Sequence, residues 1–176
     1  MPFNIKISFN PKLEDKVEDP TSLGRYLGKE YYSFYADEGN IMDVYSLESN
    51  SGAIDMWSLP ELRKIANFSS VNLLVLYRYT LPLGYLAYTI KKGRISLWSV
   101  TIHPEYRMQG LGAKVIKWLA SEYDMYDMAT TVRESDLRSQ IFLRQTNFMC
   151  TRTLKETFSS PEEDGYFFTR LAESFR

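Results

Sequence analysis

Three β-favouring runs follow one another almost without interruption between Leu73 and Ile102, and they constrain the fold more than any other feature of the chain. Leu73 to Tyr79, Leu83 to Ile90 and Arg94 to Ile102 are apolar or alternating, and only Leu81-Pro82 and Lys91-Lys92-Gly93 interrupt the series. Connections this short join antiparallel neighbours, because a parallel return needs a crossover of roughly a dozen residues. A meander is expected. Directly after it, Leu111, Val115, Trp118 and Leu119 form one helical stripe, and Met128 to Val132 is a short β-favouring run. Strand, helix and strand in that order require one parallel pair beside the meander, so the sheet must be mixed.

The flanks add elements of both kinds. Phe3, Ile5, Ile7 and Phe9 alternate with polar residues, the period of a strand with one buried face. Leu23, Tyr26, Leu27, Tyr31 and Phe34 fall on one side of a helix, whereas residues 37–51 are polar and turn-rich and read as a loop. Ser58-Leu59-Pro60-Glu61 has the spacing of a capping box, opening a helix to about Asn67. Leu137 to Gln145 reads as a further helix, and Phe148 to Thr153 and Tyr166 to Leu171 as strands. With no repeat or linker, residues 1–176 are expected to form one α/β domain: a mixed, mostly antiparallel sheet with helices on both faces.

Composition removes several classes of function. Twenty-one Lys and Arg against 22 Asp and Glu leave a formal charge of -1, so no global field favours nucleic acid or an anionic membrane. No apolar run approaches the roughly 18 residues of a membrane span, and the start of the chain lacks signal-peptide order, which points to a soluble, cytoplasmic protein. One histidine and one cysteine cannot assemble a zinc site of the usual nitrogen and sulfur ligands. His103 precedes Pro104 in an apparent turn, where a triad role is unattractive.

Chemistry concentrates between the third strand of the meander and the next helix, in Pro104-Glu105-Tyr106-Arg107-Met108-Gln109-Gly110-Leu111-Gly112-Ala113-Lys114. Its two glycines let backbone amides approach an anion, and the helix start adds unpaired N–H groups and a positive dipole end. Arg107 and Lys114 bracket the loop and supply charge at its rim. The spacing is neither that of the ATP-binding P-loop nor the three-glycine dinucleotide fingerprint.

The longer phrase Ser99 to Ala113 resembles motif A of the GCN5-related N-acetyltransferase (GNAT) superfamily, with Arg107, Gly110 and Gly112 filling its Arg/Gln-x-x-Gly-x-Gly/Ala core. Val132-Arg133-Glu134-Ser135-Asp136 and Leu143-Arg144-Gln145-Thr146-Asn147-Phe148 look like the corresponding segments of the RimI-like branch. The likeness runs from about residue 57 to residue 171, while residues 1–56 match only in element order. It implies a sheet splayed between strands four and five, with a bulge in strand four, and acetyl-CoA as co-substrate without a metal. It further implies pantetheine pairing with the backbone of Val100, Thr101 and Ile102. The pyrophosphate would lie on Arg107, Met108, Gln109, Gly110, Leu111, Gly112 and Ala113, with Asp136 in place of the branch's asparagine.

The implied reaction is direct transfer of acetyl to a primary amine, in a protein or a small molecule. Here the chain departs from the branch: the expected glutamate is Thr131 and the expected tyrosine is Leu143, neither of which titrates near neutrality. Thr131, through a water, Glu134 and Tyr166 are the candidates left, with Tyr45 a further tyrosine hydroxyl, and the base and acid stay unassigned. An acyl-CoA-binding sensor or scaffold with little catalysis is the alternative. Residues 35–60 and 155–164, the latter carrying Glu156, Glu162, Glu163 and Asp164, are expected to flank the acceptor mouth of a monomer or homodimer.

Overall fold

The structure is a computed structural model that describes residues 19–159 and 161–172, so the strand expected at Phe3 to Phe9 lies outside the described residues. In chain order the elements are α1 (Ser22–Leu27), β1 (Tyr31–Tyr35), α2 (Ile41–Ser49), α3 (Leu59–Ala66), β2 (Val71–Arg78), β3 (Leu81–Lys91), β4 (Arg94–Ile102), α4 (Leu111–Glu122), β5 (Asp127–Arg133), α5 (Leu137–Gln145), β6 (Met149–Ser159) and β7 (Glu162–Arg170). The described strands form one sheet in the order β1-β2-β3-β4-β5-β7-β6. Only β4 and β5 run parallel, as the single crossover through α4 requires.

Two apolar layers cover the sheet. On one face Trp118, Leu119 and Val115 of α4 join Leu23 of α1, Leu143 of α5 and strand residues such as Tyr88, Ile95 and Leu97. On the other, Ile41, Val44 and Leu47 of α2 and Leu62 and Ile65 of α3 pack on Val75, Tyr85 and Ala87. Helices therefore lie on both faces, as expected for a sheet that would otherwise expose an apolar side.

Three expectations need correction. The helix read from Leu23 to Phe34 ends at Leu27, because Gly28 takes φ 131° and the aromatic run Tyr31–Tyr35 pairs antiparallel with β2. Ser33 fastens the two pieces, accepting from the Gly24 amide at 2.9 Å and donating to the Pro20 carbonyl at 2.6 Å. Residues 37–51 are not a loop: Asp37 accepts from the Gly39 amide at 2.8 Å in a turn, and α2 follows with Ile41, Val44 and Leu47 buried. Its apolar stripe is thin, so the polar residues between masked it. Last, residues 155–164 are mostly strand rather than connection, since β6 runs on to Ser159 through an irregularity between Leu154 and Phe158 and a left-handed Glu156.

Candidate active site

The candidate cleft begins where the parallel pair fails. Arg94, Ile95 and Ser96 of β4 match Asp127, Met128 and Ala129 of β5, and no pairing follows. The Thr130 hydroxyl still reaches the Leu97 carbonyl at 3.1 Å, and beyond it the strands diverge. On its other side β4 carries an extra residue: Ala87 faces Ser99 but Tyr88 faces Leu97, which leaves Trp98 as a bulge. Val100, Thr101 and Ile102 thus lie on a stretch of β4 whose β5 side is open.

At the open end stands the glycine loop. Met108 and Gly110 are left-handed, at φ 61° and 79°, on either side of Gln109. Backbone that alternates in this way gathers successive N–H groups into an anion-binding hollow. Among the described residues, the amides of residues 108–113 donate no hydrogen bond, and α4 has no side-chain cap. The helices α3 and α5 differ, since Glu61 accepts from the Ser58 amide at 2.7 Å and Asp136 from the Ser139 amide at 3.1 Å. A Cβ added at Gly110 would meet nothing within 4 Å, whereas one at Gly112 would lie 3.2 Å from the Phe142 ring. Gly110 is thus demanded by conformation, and Gly112 by helix packing.

The side chains of the loop divide between anchoring and exposure. Arg107 donates from Nε to the Ile102 carbonyl at 2.8 Å and from Nη2 to the Ser51 carbonyl at 3.0 Å, so it pins the loop to the end of β4 and to the segment after α2. Gln109 donates to the Glu105 carbonyl, and Met108 is fully exposed. Burial and the nearby Arg138 hold the Arg107 guanidinium below its ordinary pKa. Among the described residues no carboxylate forms an ion pair with Arg107, Lys114 or Arg138, which leaves this end of the cleft with uncompensated positive charge.

Across the cleft the charges are paired. Arg133, 4% exposed, meets Asp55 and Glu163 at 2.6 Å each, donates to the Pro161 carbonyl at 3.0 Å and lies over the Phe158 ring at 4.3 Å. Burial opposes its charge, but the bonds with Glu163 and Asp55 outweigh that and raise its pKa. Asp55 belongs to the α2–α3 connection and Glu163 to β7, so one side chain binds both segments expected to flank the acceptor. Of the catalytic candidates, Glu134 and Tyr166 are brought together, the hydroxyl donating at 3.0 Å, a bond that raises the Tyr166 pKa. Thr131 is buried, and its methyl would stand 2.9 Å from a Cβ at Gly165; Leu143 is core, and Tyr45 is partly exposed on α2. Asp136 is buried, with Oδ1 capping α5 and Oδ2 lacking a partner among the described residues.

One buried group escaped the sequence reading. Glu48 is 0% exposed, accepting from the Trp57 amide at 2.8 Å and from the Tyr85 hydroxyl. The signal was its position: Ile41, Val44 and Glu48 share one helical face, so an acid occupies a core site of α2, visible only once that helix is recognised.

No family model and no curated protein matches this sequence. Solved structures match in fold. The ribosomal-protein-S18-alanine N-acetyltransferase of Escherichia coli superposes with a TM-score of 0.69 at 14% identity, over 81% of this chain and 94% of that one. A chimeric spermidine N-acetyltransferase that includes the Vibrio cholerae protein gives 0.69 at 12%, over 84% and 98%. An Arabidopsis thaliana protein solved with the bisubstrate analogue CoA-Ac-MVNAL gives 0.65 at 14%, over 81% and 99%. The chain therefore has the acyl-CoA N-acyltransferase fold found in GNAT acetyltransferases.

Proposed function

We propose that this protein is an N-acetyltransferase of the GNAT superfamily, RimI-like, which moves acetyl from acetyl-CoA to a primary amine in a ternary complex. The observation that carries this is the row of uncommitted amides at residues 108–113 beside the open half of β4. That row fits a pyrophosphate: it offers N–H donors without side-chain competition, backed by the α4 dipole and by Arg107, Lys114 and Arg138. The Val100–Ile102 backbone would pair with an amide-bearing arm laid in the cleft, and Asp136 Oδ2 is a buried acceptor at the start of α5. Acetyl-CoA supplies a thioester that an amine attacks directly. The chain's contribution is alignment, which accounts for about 7–11 kcal/mol when geometry is near-attack.

Support for the acceptor class comes from fold neighbours whose names cite a ribosomal-protein alanine and spermidine, one a protein amine and one a small polyamine. A soluble, cytoplasmic monomer or homodimer using no metal and binding no nucleic acid completes the reading. Among the described residues, no helix is long and apolar enough to cross a membrane.

A second reading is favoured by one observation. Thr131 and Leu143 stand where the RimI-like branch has its acid and base, both buried and without a titrating group. An acyl-CoA sensor or scaffold would tolerate that. Thiol release from acetyl-CoA, followed with spermidine and with a peptide bearing a free α-amine, separates the two. Amine-dependent release is expected; coenzyme A binding without release would establish the sensor.

A further inference from the structure

Glu48 is one end of a chain of hydroxyls whose other end is Thr101 of β4. Tyr85 of β3 donates to its Oε2, Ser99 of β4 donates to Tyr85 at 3.2 Å, and Thr101 lies 3.0 Å from Ser99. Each hydroxyl has one proton, which settles the direction of the last bond. Tyr85 spends its proton on Glu48 and Ser99 spends its own on Tyr85, so Thr101 donates to Ser99. All three protons point toward the carboxylate, and the Thr101 oxygen keeps lone pairs free to accept. Thr101, itself 2% exposed, lies in the half of β4 that has lost β5 as a partner.

We infer that Thr101, Ser99, Tyr85 and Glu48 form a proton relay that deprotonates the acceptor amine and supplies the base that Thr131 and Leu143 do not; this rests on the N-acetyltransferase reading. In the step, a proton leaves the ammonium for Thr101 Oγ1 as the Thr101 proton passes to Ser99, that of Ser99 to Tyr85, and that of Tyr85 to Glu48. Ammonium and carboxylate become neutral amine and carboxylic acid. The freed lone pair attacks the thioester carbonyl carbon, the carbon–sulfur bond breaks, the departing thiolate takes the second proton that the new amide nitrogen sheds, and Glu48 returns its own to solvent along the same path.

The surroundings suit an acceptor of this kind. Burial pushes the Glu48 carboxyl above its ordinary range, against the opposing bonds from Tyr85 and Trp57. From β3 it meets Tyr85, through which the neutral β4 hydroxyls Ser99 and Thr101 are joined to it, and from the α2–α3 connection the Trp57 amide. The charged groups nearby are committed: Asp43 of α2 to Tyr77 at 2.6 Å, Asp55 to Arg133, and Arg107 to two carbonyls.

The test compares wild type with Glu48→Gln, Tyr85→Phe and Thr101→Val in thiol release with the same two amines across pH. Thr101→Val is isosteric and does not touch Glu48, so it isolates the relay from any clamp that Glu48 provides through Trp57. A kcat about a hundredfold lower, an unchanged KM for acetyl-CoA and loss of the acidic limb of the pH profile are expected in all three. An acidic limb that persists in Glu48→Gln or Thr101→Val overturns the relay. Should wild type release thiol with neither amine, the transferase reading fails by itself. The relay is then read from the infrared carboxylate stretch assigned by its loss in Glu48→Gln. That band is expected to shift when coenzyme A is added to wild type and to stay fixed in Thr101→Val; an unmoved wild-type band overturns the proposal.

Discussion

The two ends of the cleft are built on opposite plans. At the glycine loop six consecutive amides and three cations have no internal acceptor or counter-ion among the described residues. At the other end, where the acceptor mouth is proposed, Arg133 holds Asp55 and Glu163, Lys155 pairs with Asp164, and Tyr166 with Glu134. An end left unsatisfied keeps its donors available to an anionic partner. A saturated end is rigid and conceals what it selects.

Removing the hub of the saturated end is expected to cost most. Arg133→Met leaves two carboxylates facing each other in a half-buried site, a loss of about 3–5 kcal/mol in chemical denaturation. A much smaller loss would show that the mouth does not depend on the clamp. Next comes the unsatisfied end: Gly110→Trp forces a side chain into a left-handed position within the amide row. Coenzyme A affinity by calorimetry should fall at least about a hundredfold, or some 2.7 kcal/mol, with the far-ultraviolet circular dichroism unchanged. Retained affinity would mean that the loop is misread. Gly112→Trp should lose stability as well as affinity, because its side chain would meet Phe142.

Acid titration sharpens the contrast more gently. Glu163 has its pKa lowered, burial being outweighed by the bonds from Arg133 and Ser135. Its stabilisation is therefore complete above the unfolded glutamate pKa of about 4.3 and lost as pH falls through the lower folded value. Glu163→Gln should flatten the stability curve in that window, and an unchanged curve would detach Glu163 from the clamp. The smallest effect belongs to Lys155→Ala: this exposed pair with Asp164 should leave the denaturation midpoint where it was, as surface ion pairs usually do.

Much of the central sheet was legible because local rules and tertiary packing agreed there. The meander, the capping box of α3, the stripe of α4 and the glycine loop each need only neighbours in sequence. The misreadings at residues 23–34 and 37–51 arose where packing decided the outcome. Tyr31 and Phe34 fit a helical face as well as a strand until β2 is there to pair with, and Ile41, Val44 and Leu47 make a helix only against Val75 and Tyr85. The candidate site was legible to the same extent. Gly110 announces itself through spacing, but the partners of Arg133 come from positions 55 and 163, and the contacts of Glu48 from 57 and 85, separations that no local pattern encodes.

The junction of β4 and β5 bears on how the molecule is assembled. Three residue pairs join a four-stranded half, β1 to β4, to a three-stranded half, β5 to β7. Hairpins supply β2–β3, β3–β4 and β6–β7 from neighbouring segments, so these ladders close short loops and incur little entropy before contacts reward it. Uniting the halves must instead wait for α4 to bridge them. The proposed ligand cleft thus lies on a non-local seam, one that, like β1–β2 and β5–β7, closes only across intervening elements.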